Sequence, residues 1–319
     1  LRAICAFAAL CISVGSAHAQ IGYGVNSGGQ LFKFDVNGIA PAPVTNIGAP
    51  LTFVPEGIDF RPSSQSLFAI DVGPTTTQLY TIDINTGVPS MVGGGFNSVG
   101  VDYNLTTSTN FGFDFNPKTL QGDNSMRIRL VNTSNQNLRL NSSTGLIDTV
   151  DTELHIGTNS PFVDAVAYIN NIAEAGGTTT LYDMDSRNNA LYIQSPPNAG
   201  DLTAVGDFGV TIDALTRMHF DVYTDPASVD PSIGGDFGYA VYKRPDAPIA
   251  PGPTGSYLLY NVNLLTGQTL VGRLVGDAVT PANFDGGFAV LPFPVPEPAS
   301  TMLLLIGAMA LAAVRRRGA

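Results

Sequence analysis

Five aspartates recur along the chain, each inside a short apolar segment of strand-like composition. They are Asp59, Asp114, Asp164, Asp221 and Asp285, and the segments that contain them begin about 50 to 65 residues apart. If the segments are equivalent strands of one repeat, the carboxylates form a ring of acceptors for a cation or a polar ligand. In the alternative interpretation, each aspartate only caps a turn or bonds the backbone of a neighbouring strand.

Two other acidic stretches have a faint likeness to calcium-binding loops, Asp83-Ile84-Asn85-Thr86-Gly87 and Asp183-Met184-Asp185-Ser186-Arg187. Neither has a glutamate at the twelfth position or the full ligand spacing of such a loop. Turn chemistry, in which Asp and Asn bond their own backbone, is the simpler interpretation. Calcium is therefore the one candidate cofactor, and the sequence does not identify residues that would bind a metal.

Residues for other chemistry are scarce. Beyond residue 19 the histidines are His155 and His219, and there is no cysteine. This disfavours a metal site of the His/Cys kind, and no Gly-x-Ser-x-Gly motif is present. His219 lies in one of the five aspartate-containing segments, where a packed or surface role is expected. The sequence thus predicts no catalytic residue.

Three arginines, Arg127, Arg129 and Arg139, form a local basic cluster in an acidic chain. Arg127 and Arg129 are two residues apart, so they share one face of a strand. They either pair with the abundant aspartates or form a patch for an anionic polysaccharide.

The elements that would position these residues are strands. Each aspartate segment alternates with hairpins such as 79–87, in which apolar and polar residues alternate before an Asn/Thr/Gly turn. One four-stranded blade per repeat predicts an all-β, β-propeller fold of about five blades. The segment 284–291 has no hairpin after it, and the hairpin at 21–48 has no opening strand before it, so the last strand is expected to complete the first blade. Six or seven blades, or a β-sandwich or solenoid, are the alternatives.

The two ends of the chain differ from this body. Arg2 is followed by an apolar run and by Ala17-His18-Ala19, which is typical of a signal peptide over 1–19 that is cleaved after Ala19. Four of the fifteen Lys and Arg and one of the 26 acidic residues lie in the ends, so the body at 20–294 carries a net charge of −14. Nucleic acid is therefore a poor partner.

The segment 295–319 has three parts: Pro296-Glu297-Pro298, an uncharged run at 301–314, and Arg315-Arg316-Arg317. Two prolines make the first part extended. The uncharged run predicts a transmembrane helix that is marginally short for a span of roughly 17–25 residues, and the arginines are the cytoplasmic stop. This order resembles the PEP-CTERM sorting signal of Gram-negative bacteria, which implies removal of the helix by an exosortase.

A second resemblance rests on the run 112–117, on 126–131 with 136–145, and on 178–185 with 195–200. Together these look like a bacterial family of exported, propeller-like domains of uncharacterised function, over about residues 30–291. The resemblance supports the fold and implies no catalytic residues.

The leading hypothesis is a non-enzymatic protein of the cell surface or extracellular matrix. Its expected partners are the secretory translocon, the exosortase and extracellular polysaccharide, and it would be anchored in the inner membrane only transiently. The alternatives are an extracellular propeller hydrolase or lyase, calcium-dependent or not, and a ligand-binding propeller without chemistry.

Overall fold

The computed structural model describes residues 20–38, 40–118, 126–172, 178–212, 217–225, 235–243, 256–270, 272–276 and 281–292. They lie within one compact unit, Gln20–Phe293. In this described part, twenty strands form five four-stranded antiparallel sheets, and one short 3-10 helix, Leu105–Thr107, lies along the chain between the second and third sheets. The all-β prediction with five blades is therefore confirmed.

The blades follow the chain order. Blade 1 contains β1 (Ile21–Val25), β2 (Leu31–Asp35) and β3 (Thr45–Ile47), together with β20 (Phe288–Val290). Blade 2 contains β4 (Gly57–Arg61), β5 (Ser66–Val72), β6 (Thr76–Ile82) and β7 (Pro89–Asn97). Blade 3 contains β8 (Phe111–Phe115), β9 (Arg127–Asn132), β10 (Asn137–Asn141) and β11 (Ile147–Val150).

Blade 4 contains β12 (Val163–Tyr168), β13 (Leu181–Asp185), β14 (Ala190–Gln194) and β15 (Leu202–Asp207). Blade 5 contains β16 (His219–Thr224), β17 (Asp236–Lys243), β18 (Tyr257–Val262) and β19 (Arg273–Leu274). We call β4, β8, β12, β16 and β20 the inner strands, because they contact one another in ring order.

Two distant parts of the chain close the ring. β20 pairs antiparallel with β1, with Gly22 opposite Val290 and Gly24 opposite Phe288. The expectation that the last strand completes the first blade is thus confirmed, although β20 is shorter than the predicted segment 284–291. Aromatic rings pack at this closure: Phe284 lies 5.1 Å from Phe32 between ring centroids, in an edge-to-face arrangement.

The core lies between neighbouring blades, which explains the sequence pattern. Inner strands are covered on both faces, so all five residues of β8 are buried. Outermost strands face solvent on one side, and no residue of β7 is buried. Since residues 20–319 contain no cysteine, stability comes from these packed faces and from the sheet hydrogen bonds.

A second contact holds neighbouring blades together at the periphery. The Thr-Gly turn between the third and fourth strands of one blade presses against a glycine next to or within the outermost strand of the preceding blade. A Cβ at Gly93 would lie 1.8 Å from the carbonyl oxygen of Thr144, and one at Gly48 would lie 1.9 Å from that of Thr86. The turn motif read from the sequence therefore joins blades as well as strands.

Replacing Gly93 by alanine tests this contact. Gly93 has a φ of +66° and no room for a side chain, so G93A is expected to lower the free energy of unfolding by at least about 2 kcal/mol. Chemical denaturation gives the value. The matched control is G94A, because a Cβ at Gly94 meets nothing within 4 Å. Equal losses in both variants would contradict the contact.

Candidate functional site

Three of the five predicted aspartates meet on the ring axis. Asp59 in β4, Asp114 in β8 and Asp221 in β16 each present a carboxylate oxygen, and these three oxygens lie within 4.8 Å of one another. All three residues are at most 2% exposed. We call them the axial triad. The structure thus brings together three of the five aspartates predicted to form a ring, and ligand binding by them stays a prediction.

The other two aspartates lie elsewhere, so their assignment to the ring was wrong. Asp164 belongs to β12 but lies at the register shift between Val163 and Ala165. Its carboxylate accepts from Asn110 Nδ2 at 2.8 Å and from Ser186 N at 2.9 Å. Asp285 lies before β20 and accepts from the Tyr257 hydroxyl at 2.5 Å.

The axial triad satisfies one backbone N–H group on each inner strand. Asp59 accepts from Phe60 N at 2.6 Å and from Phe115 N at 2.7 Å. Asp221 accepts from Val222 N and Val290 N, both at 2.6 Å. Asp114 accepts from Tyr168 N at 2.9 Å. Inner strands have no further strand beyond them, so these N–H groups would otherwise lack acceptors.

These bonds also define which positions are equivalent in the five blades. Phe115, Tyr168 and Val290 each follow the triad position of their strand, and each donates to the aspartate of the preceding blade. By this register, Ala167 in β12 and Ala289 in β20 stand at the triad position. In the ring, the blade of Asp221 follows the blade of Ala167, and the blade of Asp59 follows the blade of Ala289. In these two blades the aspartate also accepts from the N–H of the next residue in its own strand, Val222 or Phe60.

Burial dominates the electrostatics of the axial triad. It raises the pKa of Asp59 and Asp114 well above the usual value, and neighbouring aspartates add to the effect, while backbone N–H bonds oppose it. Burial likewise raises the pKa of Asp221 to about 7. No basic side chain of the described residues contributes to these shifts. Three carboxylates this close cannot all be ionised without a compensating proton or cation.

A charged cluster that the sequence did not reveal lies where the inner strands begin. Arg217, just before β16, places Nη1 2.6 Å from Glu56 Oε2 and donates to the Asp285 carbonyl at 2.7 Å. Burial raises the pKa of Glu56, and Arg217 only partly offsets this. Burial also raises the pKa of Asp285, but bonds from Tyr257 and Asn283 and the charges of Lys243 and Arg217 outweigh it, so the net pKa is lowered. Nothing in the strand pattern points to Glu56 or Arg217.

Of the two roles expected for His219, packed or surface, the structure shows the packed one. It opens β16, is 5% exposed, and burial lowers its pKa to about 4. Its imidazole is therefore neutral at physiological pH. His155, the other histidine, lies 2.7 Å from Asp201 in a partly exposed pair.

The arginine cluster pairs with aspartates, as one of its two interpretations held. Arg129 Nη1 lies 2.7 Å from Asp151 Oδ2, and Arg139 Nε lies 2.8 Å from the same oxygen. Arg127 lies 2.8 Å from Asp148. Arg129 is 2% exposed, so the cluster is not a basic surface patch.

The two loop-like acidic stretches differ from each other. Asp83 is a turn residue whose Oδ1 accepts from Asn85 N and Thr86 N, and these bonds lower its pKa. Asp185 accepts from Asn188 N and Phe162 N. Asp183 is fully buried, with no hydrogen-bond partner for either oxygen among the described residues. Turn chemistry accounts for Asp83 and Asp185.

The sorting and cleavage residues named from the sequence, at 17, 19, 296–298 and 315–317, lie outside the described residues, as does the predicted helix 301–314. Within the described part, no helix is both long enough and apolar enough to span a membrane.

Comparison with known families gives two matches. A family model described as Domain of unknown function (DUF4394) matches residues 23–281. A second, the PEP-CTERM protein-sorting motif, matches residues 294–317. A search of curated proteins found no match.

Solved structures show distant likenesses. A chain of the nidogen/laminin complex is 9% identical, with a TM-score of 0.42, covering 86% of this chain and 98% of that one. A putative 6-phosphogluconolactonase from Bacteroides uniformis is 12% identical, with a TM-score of 0.40 and coverages of 80% and 82%. At these values the likenesses carry no inference about ligand or activity.

The unequal use of triad oxygens predicts unequal costs of substitution. An asparagine keeps one acceptor oxygen, which serves the single bond of Asp114 but only one of the two bonds of Asp59. D59N is therefore expected to lower the free energy of unfolding by about 1–3 kcal/mol more than D114N. Denaturant titration of both variants measures the difference, and a larger cost for D114N would contradict the bonding scheme.

The pH dependence of stability tests the burial of Asp164. Burial raises its pKa to about 7, so its protonated form stabilises the fold. That contribution is full below the unfolded pKa near 4, falls as the pH rises, and is lost above about 7, for a total of about 4 kcal/mol. As the pH rises from 4.5 to 8, the free energy of unfolding of D164N is expected to fall less than that of the parent protein. D83N, altered in an exposed turn, is the control and should keep the parent's slope.

Proposed function

The chain belongs to the family described as Domain of unknown function (DUF4394), and from that premise we propose that it is a non-enzymatic, polysaccharide-associated protein of the bacterial surface or extracellular matrix. Its C-terminal PEP-CTERM motif indicates exosortase-dependent export and surface sorting in Gram-negative bacteria. The propeller is then the domain that is exported to the cell surface. Transient anchoring in the inner membrane by 301–314 belongs to the same proposal.

The observation that supports a binding or structural role is how the axial carboxylates are used. A general acid or base needs a carboxylate that reaches substrate. Asp59 and Asp221 instead place both oxygens on backbone N–H groups, and Asp164 bonds Asn110 and Ser186. These three aspartates thus serve the fold.

A hydrolase or lyase is the second candidate, and one observation favours it. Glu56 and Asp285 lie at the same end of the inner strands, where Arg217 pairs with the Glu56 carboxylate and donates to the backbone carbonyl of Asp285. The pKa values of the two carboxyl groups are shifted in opposite directions. Two neighbouring carboxyl groups whose pKa values are shifted in opposite directions are typical of acid–base pairs. If the protein is an enzyme, Glu56 is the candidate acid and Asp285 the candidate base.

The experiment uses protein exported by a Gram-negative host that carries an exosortase. Intact mass is expected to show that residues 302–319 have been removed, and a variant with P296A, E297A and P298A should retain them. Residues 302–319 still attached to the exported parent protein would contradict processing.

The processed protein is then mixed with the extracellular polysaccharide of the same host. It is expected to co-sediment with the polymer and to leave the polymer's size distribution unchanged. Shortening of the polymer that disappears in E56Q would favour the enzyme instead. Failure to co-sediment would contradict the polysaccharide association while leaving export and sorting intact.

A further inference from the structure

A second layer of backbone N–H groups faces the ring axis, beside the layer that the axial triad satisfies. One N–H group of every inner strand donates to the triad. Because a strand repeats every two residues, the N–H group two positions earlier in each strand points to the same side, about 7 Å away. These earlier residues are Ile58, Phe113, Val166, Phe220 and Phe288. No side chain of the described residues accepts from their N–H groups.

The residue types of this second layer explain why it lacks side-chain acceptors. In three of the five inner strands, the residue before the N–H donor to the triad is an aspartate. At the corresponding positions of the second layer, the residues are Gly57, Gly112, Ala165, His219 and Gly287. Glycine and alanine offer no acceptor and leave space on the axis. His219 is the one residue of the set with a polar side chain.

A small cavity occupies this space. Its volume is about 10 Å³, and all five inner strands line it. The five residues that carry the second-layer N–H groups are all among its lining residues. None of the lining residues is a triad aspartate, and none has a hydroxyl group. The cavity is large enough for about one water molecule and for nothing larger.

His219 gives an independent indication of a ligand in this cavity. It lies two residues before Asp221, so its side chain projects to the same side of β16, and it lines the cavity. It is 5% exposed, and its Nε2 is buried without a hydrogen-bond partner among the described residues. Nε2 is a donor in one tautomer of imidazole and an acceptor in the other. Either form needs a partner when it is buried, and water can serve both.

We propose that the cavity binds one water molecule, which bonds Nε2 of His219 and main-chain groups of the second layer. Water is favoured over an ion for two reasons. A cation would find no carboxylate among the lining residues, and an anion would lie only about 7 Å along the strands from the axial triad. A buried water bonds donors and acceptors alike. The site is independent of whether the protein binds or cleaves a polymer.

A crystal structure of the purified protein tests the site. We expect a density peak on the ring axis, about 2.7–3.2 Å from Nε2 of His219, that refines as water. An empty cavity, at a resolution that shows other buried waters, would overturn the proposal. Crystals soaked in bromide test for an anion, because bromide replaces chloride and is identified by its anomalous scattering. A bromide peak in the cavity would overturn the assignment to water.

Variants of His219 test the bond in solution. A buried water is expected to give nuclear Overhauser effects to the second-layer amide protons, and these effects are direct because no hydroxyl lines the cavity. H219F keeps a ring but has no polar atom, so it is expected to lose these effects. H219Q, the matched control, places an amide at about the reach of Nε2 and should keep them. Unchanged effects in H219F, or none in the parent protein, would contradict the proposal.

Discussion

The fold depends on how the backbone N–H groups on the ring axis are satisfied. Five inner strands meet there, each without a neighbour on its inner side, and an unpaired buried N–H costs about as much as a lost hydrogen bond. Three aspartates provide acceptors for one such group on every strand. Because three of these bonds cross between neighbouring blades, the same side chains also set the register of one blade against the next.

This arrangement explains why buried charge is tolerated in the middle of the molecule. Replacing the aspartates by apolar residues would remove the repulsion among them but would leave the N–H groups without acceptors. Ala167 and Ala289 show that a blade can do without its own aspartate when a neighbouring aspartate uses both oxygens. Three carboxylates can therefore serve five backbone N–H groups.

Much of the architecture could be predicted from local sequence, because period-2 alternation and Asn/Thr/Gly turns are local signals. The blade count and the closure of the ring followed from them. The site was harder, since membership of the axial triad depends on register. Asp164 lies three residues before Ala167, the residue at the triad position of β12, and Asp285 lies before the first residue of β20. The cluster of Glu56, Arg217 and Asp285 depends on contacts between residues more than 60 positions apart, which no local pattern reports.

The closing strand has a mechanical consequence. β20 ends at Val290 and is held to β1 by a register of only three residue pairs, and the sorting motif begins at residue 294. A tensile load applied to the chain beyond the body therefore reaches this short ladder before any other strand pair. Cutting the chain at the motif would remove that load from the ring.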